Sequence, residues 1–143
     1  MKKTWELIQE NLLSAVLMMV AFVLSLASSI IIFIHLNGET MNIIAAFFVL
    51  ASLLCSLGFF FIRGWYTYIL LYSEPVLLAV SFALVLHGAV YDFTDTYQGI
   101  QMFGNPANTG FDIAVLTLIG VSFIVLLIDI FLPVRGLDSD ETT

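Results

Sequence analysis

Four long apolar stretches, interrupted only by short polar clusters, set the pattern of this chain. They cover roughly residues 12-36, 42-62, 66-91 and 112-132. As helices rising about 1.5 Å per residue, each is long enough to cross a hydrocarbon core about 30 Å thick. The pattern predicts an all-α integral membrane fold, an antiparallel bundle of four transmembrane helices forming a single domain over residues 1-143. The rival reading of the first stretch is a secretory signal. Its apolar run of about 25 residues exceeds the roughly 7 to 15 of a signal core, so the reading here is a retained span.

The polar breaks place the turns. Asn37-Gly38-Glu39-Thr40 is a tight reversal, with asparagine and glycine supplying left-handed backbone. Arg63-Gly64-Trp65-Tyr66 marks a membrane interface by its charge and its amphipathic rings. Residues 92-111, rich in Asp, Asn, Gly and Thr, read as an outer loop, part of which lies on the membrane surface through Tyr97, Ile100, Met102 and Phe103. Pro133 ends the last span, and residues 134-143 form an acidic tail. Inside the spans, small and polar residues predict the contact faces. In the first, Ser14, Met18, Ala21, Ser25, Ser28, Ile32 and His35 recur in steps of four and three; in the second, Ala45, Ser52, Cys55 and Ser56 serve. Such stripes let membrane helices approach closely where lipid offers no hydrophobic drive.

Composition agrees. The chain is 61% hydrophobic and 10% charged, against about a quarter charged in soluble domains. Eleven acids against four bases give a net charge of -7 with no basic patch, which excludes nucleic acid as a partner. The one cysteine, Cys55, permits no internal disulfide and reads as a packing residue. No Asn-x-Ser/Thr acceptor occurs, which fits a prokaryotic cell membrane. Lys2, Lys3, Arg63 and Arg135 all fall at the termini or the second connection. Under the positive-inside rule both termini are then cytoplasmic, and Glu39, Asp92, Asp95 and Asp112 face outward.

Candidate chemistry rests on polar groups within or beside the spans. Glu74 would lie about 10 Å inside the hydrocarbon, where an acid marks an ion or proton path, a buried pair or a wet site. Pro75 behind it fits either a kink within a helix or the first turn of a helix that starts near Ser73. Asp129, near the end of the last span, is the second such acid. If Glu74, Asp129 and Arg63 converge, they make the polar entry that a proton or cation needs. His35, His87, Asp92, Asp95 and Asp112 form the candidate outer cluster. Two histidines are the minimum for a haem with two imidazole ligands, and with Asp92 or Asp95 they could also hold a metal. No haem-attachment cysteine pair is present, so the expectation is no cofactor and no metal. Phosphate loop, nucleophile elbow and zinc-binding His-Glu-x-x-His are absent, which argues against an enzyme.

Phe111-Asp112-Ile113, then Val115 and Gly120, followed by an apolar run and an acidic tail, resemble the closing segment of the MnhB-like subunit of Mrp-type multisubunit sodium/proton antiporters. The likeness covers the fourth span. The family's His-Asn-x-Pro-Gly-Gly-Gly segment is replaced here by Glu39-Thr40-Met41-Asn42. The resemblance implies an accessory membrane subunit of an ion-translocating complex, with Asp112 as the matched polar position.

The sequence therefore leads to a non-enzymatic small subunit of a multisubunit membrane complex that translocates cations or protons, partnered by other membrane subunits. Two alternatives stand beside it. One is a stand-alone homo-oligomeric transporter or channel; the other is a membrane-embedded binding or immunity-type protein that uses the outer loop.

Overall fold

The computed structural model describes residues 2–61 and 66–131, with side chains over 12–58 and 68–131. Four helices carry the chain: α1 Lys2–His35, α2 Thr40–Phe61, α3 Tyr66–Gln98 and α4 Thr109–Phe131. A short 3-10 helix, Pro106–Asn108, precedes the last. Each long helix contains a stretch apolar and long enough to span a membrane. Large apolar side chains such as Val23, Phe47, Leu54 and Ile124 point outward on all sides, as a lipid-facing surface requires.

The helices form a ring. The most extensive contacts are α2 on α3 and α1 on α4, and α3 with α4 and α1 with α2 close it, so α1 and α3 lie diagonally opposed. What meets along the axis is a seam repeating every three and four residues. On α3 it reads Leu71, Glu74, Leu78, Ser81, Val85, Gly88, Asp92 and Asp95, all buried. On α4 it reads Asp112, Val115, Ile119, Ser122, Leu126 and Asp129. That mean spacing of 3.5 keeps one stripe facing its neighbours along the whole helix. Small residues on the stripe let backbones approach, and serines then bond across. Ser81 Oγ donates to the Ala45 carbonyl at 3.0 Å, and Ser122 Oγ to the Ala21 carbonyl at 3.4 Å. Such interhelical bonds contribute about 0.6 kcal/mol each on average in membrane proteins.

Three expectations are corrected. The stripe of α1 ends on Leu36, which is 1% exposed, and not on His35, which is exposed. From Ile32 a step of three or four is allowed, and the chain takes four. Cys55 is only half-buried, with Leu53 and Ser56 taking the inner positions of α2. The outer loop is much shorter than residues 92-111, because α3 continues two turns beyond Tyr91 to Gln98.

Polar residues sustain that extension. Thr94 and Thr96 return their hydroxyls to the Val90 and Asp92 carbonyls within the helix. Gly99, at φ 68°, takes the left-handed position after the helix, and the Ile100 N–H bonds back to the Asp95 carbonyl. That is a Schellman-type stop. Pro75 lies inside α3, so Ser73-Glu74-Pro75 is not a helix start.

Candidate functional site

All acids within the spans lie on the inner seam, gathered at the two ends of the bundle. Glu74 and Asp92 both belong to the stripe of α3 and are eighteen residues apart, which is about 27 Å along the axis. That separation approaches the thickness of the hydrocarbon core. Between them Leu78, Val49, Val85, Val115 and Ile119 fill the interior with 0% exposure. The two acid groups are thus separated by layers of buried apolar side chains interspersed with serines.

At the end where the termini lie, α2 and α3 bring Ser56 to Glu74, whose Oε1 accepts the serine hydroxyl. On the other side of the ring, α1 and α4 bring Ser14 to Asp129, whose Oδ1 accepts at 2.5 Å. The same device is used twice. In each acid the second oxygen, Glu74 Oε2 and Asp129 Oδ2, is buried without a donor. Glu74 and Asp129 thus lie at the same end of the bundle, each on its own serine. Arg63, the third member of that cluster, lies outside the described residues, as does Arg135. A hydroxyl that donates to each acid, beside an oxygen with nothing to accept from, is an arrangement that can hold and pass a proton.

At the other end the connections between α1 and α2 and between α3 and α4 meet. Asp95 is occupied structurally: its Oδ2 accepts from the N–H groups of Met102, Phe103 and Gly104 at 2.9, 2.9 and 2.7 Å. Asp92 Oδ1 accepts from the Asn105 N–H at 2.6 Å. These two carboxylates fold the connection over the helix end, and Gly104 is what lets it come so close. A Cβ on Gly104 would lie 2.6 Å from the backbone nitrogen of Asp92. The three N–H groups converging on one oxygen of Asp95 hold the loop as an anion-binding nest would.

Asp92 keeps its other oxygen for the interior. The first turn of α4, which carries Asp112, lies against Asp92: the Thr109 hydroxyl donates to the Asp92 carbonyl at 3.4 Å, and the two carboxyls are close enough to interact. Asp92 Oδ2 and both oxygens of Asp112 are buried and unpartnered. Asn42, buried at the start of α2, has its Oδ1 unpartnered too. Glu39 completes the group, because Gly88 on α3 leaves space that both Glu39 Oε2 and Asn42 Oδ1 occupy. Burial first, then the charge of Asp92, push the Glu39 carboxyl above its ordinary 4.5, against the opposing pull of His87.

The histidines do not converge. His35 ends α1, where it stacks on Phe111 with ring centroids 3.8 Å apart. His87 meets Tyr91 edge-on at 5.9 Å. They stand exposed on diagonally opposed helices rather than neighbouring ones, a poor geometry for two ligands of one haem. Among the described residues, no group of three or more His, Cys, Asp or Glu is placed to hold a metal ion.

Asn42 and Glu39 are the site residues that sequence reasoning missed. The signal was available: counting back from Ser56 through Ser52, Val49 and Ala45 in steps of four and three lands on Asn42.

The fold and its apolar exterior define a small integral membrane protein. No protein-family model matches the chain, and neither does any curated protein or solved structure.

Proposed function

We propose that this chain is a non-enzymatic subunit of a multisubunit membrane complex that moves protons or cations. Glu74 and Asp129 serve it as acids at the cytoplasmic end. The observation that carries the reading is the burial of Glu74 and Asp129 at one end and of Asp92 and Asp112 at the other, each with at least one oxygen left without a donor. Intramembrane acids are costly and are retained where charge is handled. Layers of buried apolar side chains between the two ends argue against an open pore within a single chain and favour a path completed at an interface with neighbours. The likeness of the fourth span to an antiporter subunit supports the same class. The distribution of Lys2, Lys3, Arg63 and Arg135 supports cytoplasmic termini, in a prokaryotic cell membrane.

The test is purification from the native membrane in a mild detergent, with mass spectrometry of whatever accompanies the chain. Several membrane proteins in fixed stoichiometry are expected. A single species would reject the subunit reading and favour a stand-alone transporter.

A further inference from the structure

We infer that Asp92, Asp112, Glu39 and Asn42 form a proton-binding site at the end of the bundle opposite Glu74. The inference deepens the proposed function by naming the ion. It depends on that reading for its place in a path, but not for its existence.

The argument is one of donors and acceptors. Four buried oxygens at this end have no partner: Asp92 Oδ2, Asp112 Oδ1 and Oδ2, and Asn42 Oδ1. Asp112 is 0% exposed, and Asp92 and Asn42 are each 1% exposed. Buried acceptors without donors are rare in folded proteins, since each forfeits its hydration. Helix periodicity explains the grouping. Gly88 and Asp92 are four residues apart on one face of α3, and Glu39 and Asn42 are three apart at the start of α2. Asp112 comes in from α4 against Asp92.

The groups facing the pair are acids, an amide and histidines. Glu39 approaches from the first connection and Asn42 from α2; His87 and Asp95 lie on α3 itself, and His35 lies on Phe111 beside Asp112. Asp95 is occupied by loop amides, and both histidines are exposed. The missing donor is therefore supplied most simply by the acids. A proton on Asp92 or Asp112 bonds the pair to each other, as two carboxyls in contact share one proton rather than carry two charges. A proton on Glu39 can be offered to Asn42 Oδ1 across the bare Gly88. A metal ion is the weaker occupant, given that no metal-holding group exists among the described residues.

The experiment is infrared spectroscopy of the full chain, with any partners that co-purify, at neutral pH in mild detergent. A carbonyl stretch of protonated carboxyl, shifted in heavy water, is expected, and Asp112→Asn should remove one component of it. Should Asp112→Asn fail to fold, Asp112→Glu keeps the carboxyl but moves it by one methylene, and must shift the same component. Thermal midpoints in sodium, potassium and choline chloride at equal ionic strength provide the second readout. They should coincide. A carbonyl band left unchanged by Asp112→Asn, or by Asp112→Glu where the first variant does not fold, overturns the proposal, and so does a midpoint raised by one alkali ion and made insensitive to it by Asn42→Ala. None of these readouts involves transport or partner identity, so a failure here is distinct from a failure of the subunit reading.

Discussion

Ser56→Ala removes the hydroxyl that Glu74 Oε1 accepts. Ser56 is 0% exposed and Glu74 1%, so water cannot readily take its place. Leaving a buried acceptor unpaired costs about 1–3 kcal/mol in proteins generally. Interhelical pairs in membranes couple more weakly, by about 0.6 kcal/mol on average and about 1.7 at most. With both partners dry, the coupling should fall in the upper part of that range, near 1–1.7 kcal/mol. Glu74→Met, which keeps an unbranched side chain while removing the acid, should by itself be close to neutral or stabilising. In that background Ser56→Ala should cost almost nothing. The assay is a double-mutant cycle on equilibrium unfolding in bicelles or mixed micelles. Coupling below about 0.3 kcal/mol, the usual limit of additivity, would mean that α2 and α3 do not meet at this layer. A loss of several kcal/mol in Glu74→Met alone would refute the deeper point, because the acid would then be retained for stability rather than for charge handling.

Two further outcomes follow from the connection end. In Gly104→Ala the added Cβ would lie 2.6 Å from the Asp92 backbone nitrogen, so the loop must move off the helix, at a cost of about 1–3 kcal/mol. Hydrogen exchange should accelerate at Met102, Phe103 and Asn105, whose amides bond to Asp95 and Asp92, and unchanged protection there would sink the account of the loop. Glu39 gives a pH dependence. Its folded pKa is raised above the unfolded value, so it adds stability that is full below the unfolded pKa and is lost as pH rises through the folded one. The thermal midpoint should therefore fall from acidic towards neutral pH, and Glu39→Gln should flatten that slope; equal slopes in the two proteins would contradict the placement of Glu39 against Asp92.

Much of this architecture could be read from the sequence, because run length alone sets the number of spans and because small residues at steps of three and four mark the faces that touch. Ser14, Ser25, Ser28 and Ser56 were found that way. What misled was composition used without phase. Asp92, Thr94, Asp95 and Thr96 look like loop residues, yet Asp92 and Asp95 continue the stripe that begins at Leu71 and Glu74. The threonines satisfy their hydroxyls within the helix, and the carboxylates reach forward to amides ten or so residues on, a long-range pairing that no local pattern reveals. His35 against Leu36 was a choice between two permitted steps, decided by packing. Asn42 was passed over because, as the first residue of the second apolar stretch, it reads as the edge of the span rather than as part of its inner stripe. The convergence of Asp112 on Asp92 depends on how α4 seats beside α3, which only the fold supplies.

The most direct test of the central claim is proton movement in sealed native membrane vesicles containing the chain with Glu74→Gln, compared with the unaltered chain at equal abundance. The substitution keeps the shape of the side chain and an oxygen for Ser56, and removes the acid. The account predicts loss of proton-coupled ion movement with the protein still assembled in the membrane; coupling equal to that of the unaltered chain would contradict it.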